Sequence, residues 1–205
     1  MPTTHLHTIV FDMGNVLVHF SHERMCAQIG ALCGQSAAQI RVVLLESGLN
    51  ADFERGFLNP EELCDRLSRA VGQSFKLNAL SNAYADIFTL NEPMLAILDA
   101  LKDQGRRLVL LSNTSVWHFD FIWERWPILQ KLDDHVVSYK AGAIKPEPGI
   151  FQALLPLLQC PPENSFYTDD IADYIRTGRE YGLQAEAFID DIALRYQLKN
   201  RGIEV

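Results

Sequence analysis

The stretch of sequence that decides the fold reads Ile9-Val10-Phe11-Asp12-Met13-Gly14-Asn15-Val16-Leu17. A short apolar run ends in one aspartate, and the chain then turns through Gly14 and Asn15. In α/β proteins, the carboxyl end of a buried strand is where reactive groups are commonly placed. We therefore interpret Asp12 as a candidate reactive carboxylate at the end of the first strand.

The bulk composition is that of a folded domain. The chain has 205 residues, of which 48% are hydrophobic and 21% are charged. Its net charge of -8 argues against sequence-independent nucleic-acid binding, which depends on Lys and Arg. The four cysteines lack metal-site spacing, and neither a signal peptide nor a membrane span is expected. We predict a cytoplasmic protein with free thiols that binds neither nucleic acid nor membrane, and the sequence leaves its oligomeric state open.

Short apolar segments recur along the chain. Besides residues 8–11, strands are predicted at 107–111, 135–138, 165–167 and 185–189. Helical patterns lie between them and begin at Pro93 and Pro148. This alternation predicts an α/β fold, with a three-layer, Rossmann-like parallel sheet core covered by helices on both sides.

One long stretch breaks this alternation. Between about residues 21 and 88 the patterns are helical, including 38–45 and a helix that starts at Asn59-Pro60-Glu61-Glu62 and ends at Gly72. We interpret residues 19–86 as an inserted α-helical cap subdomain. The α/β core domain is then formed by residues 1–18 and 87–205.

Polar side chains follow three later strands. They are Ser112 with Asn113, then Lys145, which is followed by Pro146 and Pro148, then the pair Asp169-Asp170. Alone, each fits helix capping or a solvated charge, but carboxyl ends of parallel strands share one edge, so all should gather near Asp12. Hydroxyl, amide and ammonium groups suit an anion such as phosphate, and adjacent carboxylates suit Mg²⁺.

The order of these residues resembles the haloacid dehalogenase (HAD) superfamily of hydrolases over nearly the whole chain. Its four motifs have counterparts in residues 11–17, 111–114, 144–147 and 167–170. The helical insertion looks like the first type of cap in that family, and Glu54-Arg55-Gly56 looks like a cap segment common in this branch. The motif forms are similar to a bacterial sugar-phosphatase type that acts on α-D-glucose 1-phosphate.

The resemblance implies a Mg²⁺-dependent phosphatase for a small phosphorylated metabolite, with a sugar phosphate favoured. Asp12 would be the nucleophile that forms an aspartyl-phosphate, since an ionised carboxylate needs no base. Catalysis would also use Ser112 and Lys145. The implied metal site consists of Asp12, the Gly14 carbonyl and Asp170, with Asp169 in support. Substrate would be bound by Ser112, Asn113 and Lys145. Arg55 in the cap would either meet the distal part of the substrate or form an exposed salt bridge.

Two positions depart from the family pattern. Gly14 stands where most phosphatases of the superfamily carry a second Asp, which protonates the leaving oxygen and then activates water. Such acid–base help is worth roughly 10²–10⁴-fold, and glycine cannot supply it. Either the leaving group departs easily, or His19 or His118 substitutes, or the reaction differs. Tyr174 stands where many relatives have Asn or Asp.

Two other readings stay open. A 2-haloacid dehalogenase works without metal and also lacks the second Asp, although such relatives usually have Ser and Asn where this chain has Asp169-Asp170. A non-catalytic protein that binds a ligand or partner would explain both Gly14 and Tyr174.

Overall fold

A computed structural model of the chain describes residues 6–205, so the first five residues of the predicted core segment 1–18 lie outside the described residues. The strands are β1 (Thr8–Phe11), β2 (Val18–Phe20), β3 (Phe88–Leu90), β4 (Arg107–Ser112), β5 (Asp134–Val137), β6 (Ser165–Asp169) and β7 (Gln184–Ala187). The helices are α1 (His22–Cys33), α2 (Ala37–Arg41), α3 (Leu49–Glu54), α4 (Pro60–Val71), α5 (Leu77–Ala85), α6 (Pro93–Asp103), α7 (Val116–Arg125), α8 (Ser138–Ala141), α9 (Pro148–Leu154), α10 (Ala172–Glu180) and α11 (Asp191–Lys199). A π-helical turn, Val42–Glu46, continues α2, and 3-10 turns lie at Leu129–Lys131, Leu155–Leu157 and Pro162–Asn164.

The core of the fold is a parallel sheet in the order β5-β4-β1-β6-β7. Alternate residues of β1 point to opposite faces: Ile9 and Phe11 pack into one apolar cluster and Val10 into another. Helices therefore cover both faces, which confirms the predicted α/β fold. The five predicted strands are confirmed as β1, β4, β5, β6 and β7, with ends that differ by two residues or fewer.

The strand order places Asp12 at a switch in topology. From β1 the chain continues to β4 and β5 on one side of the sheet, whereas β6 and β7 lie on the other. Phe11 is in register with Leu110 and with Thr168, so Asp12 emerges between the ends of β4 and β6. A crevice at such a point is the usual ligand site of open α/β sheets.

Helices α1 to α5 lie between β2 and β3, which pair with each other in antiparallel fashion. These two short strands were not expected from the sequence. The predicted start of α4 is confirmed, since Asn59 and Glu62 form a reciprocal capping box and Gly72 ends the helix with φ 71°. The boundaries of a cap subdomain at residues 19 and 86 stay a prediction.

Two bulk features complete the description. All four cysteines are free thiols, and Cys26, Cys33 and Cys64 are buried. Within residues 6–205, no helix combines the length and the apolar character needed to cross a membrane.

Candidate active site

Lys145 lies at the centre of the site, buried between two carboxylates. Its ammonium donates to Asp12 Oδ1 at 2.7 Å, to Asp169 Oδ2 at 2.5 Å and to the Leu111 carbonyl at 3.0 Å. The three ammonium hydrogens therefore have three acceptors within the protein. In this arrangement Lys145 would act on a bound anion through its charge, and its direct contact with substrate stays a prediction.

Asn113 fixes the backbone that carries Lys145. Its side-chain oxygen accepts from the Lys145 N–H at 2.6 Å, and its amide donates to the Lys145 carbonyl at 3.1 Å. The ring of Tyr174 lies 5.0 Å from the Lys145 ammonium, where its negative π-face attracts the cation. The residue that departs from the family pattern thus covers the lysine instead of adding a carboxylate.

The two adjacent aspartates have different surroundings. Asp169 is fully buried: Oδ1 accepts from the Ile171 N–H at 2.9 Å, and Oδ2 accepts from Lys145 and from the Tyr167 hydroxyl. Both of its oxygens are engaged, which suits the supporting role implied for it.

Asp170 is exposed, and Asn15 donates to its Oδ2 at 2.9 Å. Asn15 was not singled out from the sequence; its signal was the turn, where it has a left-handed φ of 56°.

The site has an excess of negative charge that a divalent cation could balance. Oxygens of Asp12, Asp169 and Asp170 lie within 4.8 Å of one another, and the Lys145 ammonium balances only one of the three carboxylates. Burial raises the pKa of Asp12 to about 7, against the lowering effect of Lys145. Although burial lowers the pKa of Lys145, Asp12 and Asp169 raise it further. Burial thus accounts for the raised pKa of Asp12, and the two neighbouring carboxylates account for the raised pKa of Lys145.

These groups fit Mg²⁺, which prefers hard oxygen ligands and would compensate the remaining negative charge. Asp12 and Asp170 would hold it with the Gly14 carbonyl, and Asp169 would orient Lys145 beside them. That assignment stays a prediction for the individual ligands.

A cavity of about 180 Å³ opens above these groups. It is lined by Asp12, Met13, Gly14, Asn15, Phe20, His22, Glu54, Phe88, Asn113, Thr114, His118, Lys145, Asp170, Ile171 and Tyr174. The volume suits a small ligand, since drug-sized ligands occupy roughly 300–1,000 Å³. Glu54, at the end of α3, was not predicted from the sequence, although it belongs to the segment that was noted there.

Two predicted substrate contacts lie apart from this lining. Among residues 6–205 the cavity walls do not include Arg55, whose guanidinium instead bonds to Glu147 at 2.6 and 3.1 Å. Ser112 is buried at the end of β4, with its hydroxyl 3.4 Å from the Asn113 carbonyl. Its neighbours Asn113 and Thr114 face the cavity, and the roles of Ser112 and Arg55 stay predictions.

The position of the missing carboxylate is filled by an aromatic ring. A Cβ atom added to Gly14 would lie 2.8 Å from Cε1 of Phe20, closer than carbon atoms approach without repulsion. The Phe20 ring is in turn packed against His22, with centroids 4.9 Å apart. The Phe20 ring therefore leaves no space for a side chain at position 14, and the place of the missing carboxylate beside Asp12 is occupied.

The histidines proposed as substitutes are poorly suited to donate a proton. His118 lines the cavity, but its Nε2 is bonded to the Tyr84 carbonyl at 3.2 Å, and burial lowers its pKa to about 3. It is thus neutral near pH 7. His19 is exposed on β2 and does not belong to the cavity lining, as far as the described residues show.

Comparison with known proteins agrees with the geometry. No protein-family model matches the chain. A D-ribitol-5-phosphate phosphatase from Bacteroides thetaiotaomicron is 26% identical over 185 residues, which cover 86% of this chain and 88% of that protein. The structure of a predicted HAD-like family hydrolase from Porphyromonas gingivalis is 25% identical, with a TM-score of 0.82 over 95% of this chain and 98% of that chain.

A third protein has the same fold. It is a HAD family enzyme from Bacteroides thetaiotaomicron in complex with magnesium and inorganic phosphate, 20% identical, with a TM-score of 0.79 over 90% of this chain and 95% of that chain. The parallel sheet, with carboxylates at its strand ends and a lysine between them, is the arrangement expected of a HAD-type hydrolase. In sequence and in fold the chain is therefore similar to hydrolases of the haloacid dehalogenase superfamily.

Proposed function

We propose that the chain is a Mg²⁺-dependent phosphatase that hydrolyses a small phosphorylated metabolite, with a sugar or sugar-alcohol phosphate as substrate, through an aspartyl-phosphate on Asp12. The observation that carries the proposal is the Asp12–Lys145–Asp169 arrangement at the floor of a small cavity. The relative that acts on D-ribitol 5-phosphate supports this substrate class. A cytoplasmic location stays a prediction.

The charge of the site supports phosphate chemistry. Phosphoryl transfer depends mainly on positioning and on electrostatic stabilisation of the transferred group. When bound, Mg²⁺ would neutralise phosphate charge. Lys145 holds Asp12 in a fixed orientation at 2.7 Å and offsets its charge, so that the second oxygen of Asp12 remains available for attack on phosphorus.

The first test is a phosphate-release screen over sugar, sugar-alcohol and acyl phosphates, with and without Mg²⁺. We expect turnover with Mg²⁺ and its loss on addition of EDTA. Asp12→Asn should lower turnover by at least ~10³-fold, since removal of a nucleophile costs roughly 10⁶-fold in a well-studied hydrolase. Asp65→Asn, at an exposed position on α4, is the matched control and should retain full activity.

The alternatives predict other results. Halide release from 2-haloacids that persists in EDTA would replace the phosphatase with a dehalogenase. Absence of turnover and of phosphate binding with Mg²⁺ would favour the non-catalytic reading. Retained turnover in Asp12→Asn, with a melting temperature like that of the wild type, would refute the nucleophile assignment.

A further inference from the structure

We propose that Glu54, which the helical insertion supplies, is the general acid and base that replaces the carboxylate missing at Gly14. This inference rests on the proposed phosphatase function. Glu54 and Asp12 line the same cavity, and Tyr174 lies close enough to both that each carboxylate raises the pKa of its hydroxyl. Of the acidic residues in this lining, Asp12 follows β1 and Asp170 follows β6, whereas Glu54 ends helix α3 of the insertion.

The backbone of Glu54 is fixed to the core. Its carbonyl accepts from the Ser138 hydroxyl at 2.5 Å, at the point where β5 passes into α8. Two residues later, a Cβ on Gly56 would lie 2.2 Å from the Tyr139 carbonyl, so only glycine allows this approach. Between them, Arg55 pairs with Glu147 of the Lys145 loop. These contacts hold the end of α3 against the loops that form the active site.

The side chain of Glu54 is also oriented by a chain of buried polar groups. The Tyr84 hydroxyl donates to Asn50 Oδ1 at 2.5 Å, and Ser115 lowers the pKa of that hydroxyl. This bond leaves the Asn50 amide available toward the Glu54 carboxyl, whose pKa it lowers. Asn50 is a positioning residue for Glu54.

The protonation of Glu54 suits the role. Burial raises its pKa to about 7, although Asn50 and the neighbouring Arg55 lower it, so both forms are populated near neutral pH. Tyr84 and Tyr174 are the other titratable groups that respond to its charge. The histidines of the cavity shift the opposite way: burial lowers the pKa of His22, with help from Arg41, and that of His118.

The proton balance closes over two half-reactions. In the first, an Asp12 oxygen bonds to phosphorus, the ester P–O bond breaks, and the Glu54 carboxylic acid gives its proton to the departing oxygen. In the second, the Glu54 carboxylate takes a proton from water as the water oxygen bonds to phosphorus and the bond to Asp12 breaks. The products are the alcohol and inorganic phosphate, and Glu54 ends protonated as it began.

The test compares phenyl phosphate, a poor leaving group, with p-nitrophenyl phosphate, a good one. For Glu54→Gln we expect kcat/KM to fall about 10²-fold or more with phenyl phosphate and less than tenfold with p-nitrophenyl phosphate. With the second substrate, the Asp12 phosphoryl-enzyme should accumulate and be visible by mass spectrometry after an acid quench. The wild-type loss of kcat/KM above about pH 7 should be absent in the variant, and Glu54→Asp should restore part of the activity.

Glu46→Gln, at an exposed position of the same insertion, is the control and should match the wild type throughout. Equal losses with both aryl phosphates, or an unchanged pH profile, would overturn the assignment of Glu54 while wild-type turnover still upheld the phosphatase. If the wild type neither turned over these esters nor formed a phosphoryl-enzyme with Mg²⁺, the proposed function itself would fail. A melting temperature near that of the wild type would show that Glu54→Gln is folded.

Discussion

Replacement of Gly14 tests whether Phe20 occupies the place of the missing carboxylate. In Gly14→Ala the new methyl group would lie 2.8 Å from the ring, against about 3.5–4.0 Å for an ordinary carbon contact, so the ring must retreat by roughly 0.7 Å or more. That ring is held by His22 and by Phe88, with centroids at 4.9 and 6.2 Å. Overpacking of this kind costs about 1–3 kcal/mol, which corresponds to a fall in Tm of roughly 2–12 °C at this chain length.

The assay is a double-mutant cycle with Phe20→Ala, followed by thermal and urea unfolding. Truncation of Phe20 removes the clash, so Gly14→Ala should cost at least ~1 kcal/mol less in that background. Additivity of the two changes within about 0.5 kcal/mol would refute the reasoning. By the same logic, Gly14→Asp should aid hydrolysis of phenyl phosphate only when Phe20 is also Ala.

Two further predictions concern the buried charges. Lys145→Met should destabilise the fold by about 3–5 kcal/mol in urea unfolding, because Asp12 and Asp169 then lose their shared cation; a cost below about 1 kcal/mol would contradict the arrangement. The Glu54 carboxyl ionises near 4.5 when unfolded but near 7 when folded, so its contribution to stability is complete below pH 4.5 and is lost as the pH rises through 7. Over that interval the wild type should lose stability relative to Glu54→Gln by at most about 3 kcal/mol, and parallel pH profiles would be the contrary result.

Most of the core of the fold could be predicted from the sequence. The strands β1 and β4 are apolar on both faces, so each reads as a short uninterrupted hydrophobic run. The signals for helix starts were equally local, as in the capping box that Asn59 and Glu62 form at the start of α4. The strands β2 and β3 were missed because each has three residues and its partner lies about 70 positions away in the chain. Pairing at that distance leaves no local pattern.

The residues of the site likewise fall into those that the sequence predicted and one that it did not. Asp12 and Asp169 were predicted because they lie at strand ends, which the sheet brings together, and Lys145 because it lies in the loop beyond β5 and α8. Glu54 ends a short helix, and its sequence context does not differ from that of a solvated surface charge. Its position at the cavity depends on the contact of α3 with Ser138, which is distant in the chain. The sequence drew attention to Arg55 instead, one residue away. Gly56 was the residue of this segment that indicated a close approach of backbones, and in the structure it has a positive φ.

The contacts that bind the end of α3 to the core have a consequence for how such enzymes diversify. If the carboxylate that moves the proton belongs to the insertion, then the insertion carries part of the chemistry. Exchange of this insertion for another one would then remove Glu54, and with it the group that moves the proton. Core and insertion would have to evolve as a matched pair, joined at Ser138, Tyr139 and Glu147.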